Sequence, residues 1–133
     1  MKIDSLVRVS LWTTAPLNIL VAAGIAFPSG WVGSTLHFPP ASHDFYTLLA
    51  GSLVGLFGCA YAWAALQPVI SRPLLLLGGG GKLTAAIVAG WLYRQGQLHE
   101  ILAVLIAGDL LFVILWLYYL VRASVTGTGV INE

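Results

Sequence analysis

The sequence predicts an all-α fold, an integral-membrane bundle of four antiparallel transmembrane helices, on three observations. Charged residues make up 8% of the 133-residue chain and apolar ones 59%, with a mean hydropathy of +0.91, whereas soluble domains carry roughly a quarter charged residues. Four apolar runs each reach the about 20 residues that cross about 30 Å of hydrocarbon as a helix. The connections between the later runs are short, which makes sequential helices antiparallel.

The runs cover residues 6–27, 45–66, 74–93 and 101–121 of a single domain, residues 1–133. The first resembles a secretory signal in position. However, Asp4 and Arg8 interrupt its basic region and no small-x-small cleavage site follows, so it reads as a retained helix. A Gly/Pro/Ser-rich outer loop, residues 28–44, comes next, with Ser42 the expected N-cap of the second span. Pro16 should kink the first span and free a carbonyl that Asn18 or a neighbouring helix satisfies. The single cysteine, Cys59, excludes an intramolecular disulfide and a multi-thiolate metal site and reads as a small buried hydrophobe.

Charge bias sets the expected orientation. Lys2, Arg8, Arg72 and Arg122 fall on one side and Arg94 on the other, which puts both termini in the cytoplasm by the positive-inside rule. Aromatics follow the same division: Trp12, Trp63, Trp116, Tyr118 and Tyr119 approach the inner boundary, and Phe45, Tyr46, Trp91 and Tyr93 the outer one. A net charge of +1 without a basic patch argues against nucleic acid as a partner. The expected partner is the lipid bilayer, joined by a protein subunit or by further copies of the chain.

The stretch "LLLLGGGGKLTAAIVAG" invites a phosphate-loop reading, which fails position by position. A P-loop ending in Gly81-Lys82 requires glycine where Leu76 stands and a hydroxyl where Leu83 stands. A dinucleotide fingerprint fails at Leu83 or Thr84, so no nucleotide is expected. As a helix, the stretch places Gly78, Ala85, Ala86, Ala89 and Tyr93 on the face of Lys82. Small residues let helices approach closely, so Gly78 and Gly81 here, and Gly51 and Gly55 in the second span, are expected packing positions.

An ionised lysine at bilayer depth costs about 2.5–3.5 kcal/mol on insertion scales and needs a partner. Asp109 is the acidic residue well inside another span. Counted from the turn near Gln97, the two differ in depth by about 5 Å, a distance that a lysine stem covers. A buried Lys82–Asp109 pair is therefore expected, either fixing helix register or handling a ligand or proton. On the outer side His37, His43, Asp44, His99 and Glu100 form a candidate metal set. Solvated loop ends and helix-starting acids are the alternative account of the same residues.

These residues also carry a resemblance. Pro39-Pro40, Gly51-x-x-Val54, Gly58-Cys59-Ala60-Tyr61, Ala64-Ala65 with Pro68, the Gly78–Gly81 run with Lys82, and Gly108-Asp109-Leu110-Leu111 follow in an order similar to an uncharacterised subgroup of the DoxX-like small four-helix bacterial membrane proteins. The likeness runs from about Phe27 to Leu120 and departs at Phe45-Tyr46-Thr47, where an aromatic-rich Trp-Gln is expected. It implies a multi-pass protein of the bacterial inner (cytoplasmic) membrane, and links to quinone-coupled sulfur oxidation and redox-stress complexes within the wider family. The leading expectation is a lipid- or quinone-binding or accessory subunit, with Lys82, Asp109 and Tyr61 at the site. The alternatives are a quinone-coupled membrane oxidoreductase component and a small oligomeric transporter. No motif marks a cofactor, so its identity is left open, with quinone the candidate that the resemblance suggests.

Overall fold

The computed structural model describes residues 3–126. Five helices follow one another: α1 (Ile3–Ala26), α2 (Trp31–Thr35), α3 (Asp44–Leu66), α4 (Arg72–Arg94) and α5 (Glu100–Thr126). Four of them, all but α2, are long and apolar enough to cross a membrane. Each begins before the apolar run that predicts it, and α4 and α5 also end beyond theirs, because helices continue into polar residues until a cap or turn stops them. Two features differ from expectation at the outer loop. It holds the short helix α2, and α3 is capped by His43, whose Nδ1 accepts from the Phe45 N–H at 3.2 Å, rather than by Ser42.

The four long helices form two pairs. α1 runs against α3 and α4 against α5, while contact between the pairs is sparse. The α1–α3 seam depends on missing side chains. A Cβ on Gly51 would sit 2.8 Å from the Ala22 carbonyl oxygen and from the Ala26 Cβ, and one on Gly58 would sit 3.0 Å from the Ala15 oxygen. Gly55 lies between them in ordinary contact with Ala22. This i, i+4, i+7 spacing keeps the bare face of α3 turned to α1. The glycine run of α4 divides differently. Gly78 and Gly79 are buried, whereas Gly80 and Gly81 have open space where a Cβ would stand. Gly81 is therefore not a packing position, contrary to the sequence reading.

The two pairs join at one end, here called the closed end. Val7, Leu11, Ala15, Tyr61, Ala64, Ala65, Ile70, Leu75, Trp116 and Leu120 form one core there. Trp116 donates from Nε1 to Ser10 Oγ at 2.8 Å, and Ser10 in turn donates to the Val7 carbonyl, so the indole is satisfied without water. The Arg8 guanidinium donates to the carbonyls of Ala65, Gln67 and Pro68. Those carbonyls lie at the end of α3, where helical partners run out. A residue counted toward sidedness thus caps a helix as well. Cys59 is exposed on the outer surface of α3, contrary to the buried expectation, and Trp116 is a core residue rather than a boundary aromatic. Lys2, part of the orientation argument, lies outside the described residues.

Two glycine substitutions should separate packing from propensity. Gly51→Val is expected to destabilise the bundle by about 1–3 kcal/mol or more through overpacking against backbone. Gly80→Ala should be neutral or gain up to about 1 kcal/mol of helix propensity. Thermal unfolding of the purified variants in one detergent checks both.

Candidate functional site

Lys82 and Asp109 meet between α4 and α5. Nζ lies 2.7 Å from Asp109 Oδ1 and donates a second hydrogen bond to Asn18 Oδ1 at 3.3 Å. The Asn18 amide nitrogen, in turn, reaches the Val54 carbonyl on α3 at 3.4 Å. One cation therefore ties α4 to α5 directly and to α1 and α3 through a carboxamide. Lys82 Nζ also stands 5.8 Å from the ring centroids of both Tyr61 and Phe112, within cation–π range. The lysine side chain is 6% exposed and that of Asp109 26%, so the acid is the more open member of the pair.

Local sequence explains the placement. Gly78 stands one helical turn before Lys82, and a Cβ there would lie 2.5 Å from the Tyr61 hydroxyl. Its absence lets the Tyr61 ring lie against α4, packed between Phe57 and Trp116 with centroids 6.0 and 5.3 Å away. The ring of Tyr61 thereby floors the space beneath the lysine. Ala85 and Gly81, flanking Lys82 on the same side, leave the space around it empty.

That space is a cavity of about 550 Å³, bounded by both helix pairs and lined by Asn18, Phe38, Tyr61, Lys82, Asp109 and Phe112 among mostly apolar side chains. Leu53 and Val104 line it while also facing outward, so it communicates with the flanks of the bundle. Asn18, Asp109 and Lys82 stand about 8, 9 and 12 residues from the open ends of their helices, roughly 12–18 Å down at about 1.5 Å per residue.

The open end is strapped rather than packed. The His37 and His99 rings stack with centroids 4.0 Å apart and planes 13° from parallel, joining the loop after α2 to the turn before α5. His37 adopts φ 56°, a left-handed backbone that non-glycine residues seldom take. This turns the next residue, Phe38, inward, where its ring seats against Gly24; a Cβ on that glycine would lie 2.5 Å from the ring. Phe38 is thus the roof of the cavity.

The five-residue metal set does not assemble. Among the described residues no three of the His, Cys, Asp and Glu side chains converge on a point that would hold a metal ion. His43 and His99 each spend Nδ1 on an N–H of the following helix, Phe45 and Ile101, and His37 Nδ1 lies 3.1 Å from the Thr35 carbonyl. Asp44 and Glu100 occupy first helical turns, where acids favour the dipole. Sequence reasoning overlooked Asn18 as a partner of the lysine, having assigned it to the carbonyl freed by Pro16. The signal was available, since a carboxamide in an apolar span at the depth of Lys82 and Asp109 has few other polar groups to meet.

Fold and site together define an all-helical protein with four potential membrane-crossing helices and an ion pair on the wall of an apolar cavity. Comparison with protein-family models, curated proteins and solved structures finds no match.

The pair should behave as a unit. Lys82→Met is expected to cost about 3–5 kcal/mol by leaving an unpaired acid, and Lys82→Met with Asp109→Leu should recover most of it. A double-mutant cycle of unfolding in detergent measures the difference. At the open end, His99→Ala should speed amide hydrogen exchange of residues 36–38 about tenfold or more while leaving the closed end protected, as mass spectrometry of peptides will show.

Proposed function

We propose that this chain is a multi-pass membrane protein that holds a lipid- or quinone-like molecule between its two helix pairs, as a binding or accessory subunit of a membrane complex. The observation that carries this reading is the cavity of about 550 Å³ with Lys82, Asp109 and Asn18 on its wall. Its volume lies within the about 300–1,000 Å³ of small-molecule sites, and convergent polar groups in an apolar pocket are the usual pattern of such sites.

In this reading the long helices cross the bilayer in alternate directions, with the closed end and both termini at the cytoplasmic face of a bacterial inner membrane. The order of motifs from Pro39-Pro40 to Gly108-Asp109-Leu110 supports membership of the DoxX-like group. At roughly 12–18 Å below the open end, the ion pair stands near the middle of about 30 Å of hydrocarbon. Ionisable residues at such depth are costly and tend to serve function. An amphiphile reaches the cavity from the surrounding lipid past Leu53 and Val104, without passing through water.

The test is mass spectrometry of what co-purifies with the full chain extracted in lipid nanodiscs. A specific hydrophobic molecule, near one per chain, is the expected result. It should be depleted at least about fivefold in Gly81→Leu, which fills the cavity from a lining position where a Cβ meets open space. Bulk phospholipid alone, in equal amounts from both proteins, overturns the proposal.

A further inference from the structure

The charge balance of the cavity narrows what it holds, on the reading that it is a ligand site. Of the ionisable side chains that line it, Lys82 and Asp109 are charged and matched one for one, and Tyr61 is a neutral phenol. Everything else on the wall is apolar, a glycine or the carboxamide of Asn18. A carboxylate or phosphate bound here would bring a second negative charge beside Asp109 with no second cation to meet it. An ammonium would compete with Lys82 for the same acid. Either ion would be stranded where charge is least tolerated.

Hydrogen-bonding capacity remains even though charge is balanced. An ammonium group has three N–H donors, and Lys82 gives one each to Asp109 and Asn18. Asp109 uses Oδ1 for its hydrogen bond among the described residues, and its partly exposed side chain faces the cavity. The wall therefore offers a donor at Lys82 and an acceptor at Asp109 side by side. A hydroxyl satisfies both, a carbonyl the first, and neither adds charge. The rings of Tyr61 and Phe112 and the aliphatic wall then cover the apolar body.

We infer that the cavity selects an uncharged amphiphile, held by a hydroxyl or carbonyl group at the Lys82–Asp109 pair, over fatty acids and anionic lipids. The selectivity belongs to the pair and reverses when the balance is broken: Asp109→Asn leaves a lysine cation that attracts an acid.

Diazirine-bearing dodecanol and dodecanoate, matched in chain, test this by photo-crosslinking to the purified full chain at a pH where the acid is ionised. Labelling is mapped to peptides spanning residues 53–61 and 104–112, which flank the cavity. In the wild-type protein the alcohol should label these peptides about tenfold or more above the acid. Lys82→Arg, which preserves the balance, should keep that order, and Asp109→Asn should invert it. If the acid labels as well as the alcohol in the wild type, selection for a neutral head is overturned while the ligand site stands. If neither labels these peptides, the ligand site is overturned and this inference with it. Should Asp109→Asn fail to fold, the wild-type ratio decides alone.

Discussion

An ammonium group placed among apolar helices must be neutralised where it stands, and the middle of this bundle is organised around that requirement. Lys82 finds Asp109 at 2.7 Å and Asn18 at 3.3 Å, and Asn18 is itself tethered to the Val54 carbonyl. All four long helices thereby contribute to satisfying one charge. Apolar packing alone specifies their register weakly, because hydrophobic contacts are non-directional. A polar cluster of fixed geometry specifies it, since sliding any helix by one residue separates its members by about 1.5 Å.

The cluster also separates two regimes of packing. Beneath it lies the closed-end core, with Tyr61 and Trp116 locked in place and Arg8 capping the end of α3. Above it the helix pairs part around the cavity, and the imidazole stack, with Phe38 tucked behind it, links them across the gap. The base is densely packed and the rim is lightly tied. Mobile elements are drawn from regions with few buried contacts, and the rim has few.

How much of this was legible beforehand follows from which interactions are local in sequence. Helix extents come from hydropathy and turn residues, so the four long helices were readable, as was the approach of Lys82 to Asp109, which needs only depth along two neighbouring helices. The partition into pairs was not. Small-residue faces on α3 and α4 look alike as patterns, yet Gly51 and Gly58 meet the α1 backbone while Gly81 meets nothing. Which face a helix turns to which neighbour is a global outcome of packing. The histidines show the reverse error. Grouped by side of the membrane they look like ligands, but His43 and His99 are claimed by the nearest helix N-terminus before any ion could use them.

The four glycines below Lys82 carry a mechanical consequence. Side chains stiffen a helix by restricting its backbone and by bracing it against neighbours, and at Gly80 and Gly81 both supports are absent. These laterally unsupported positions of α4 lie immediately beneath the lysine that ties it to α5 and α1. A bend of α4 at these positions would carry the lysine with the upper half of the helix, above the Gly78 notch in which Tyr61 sits.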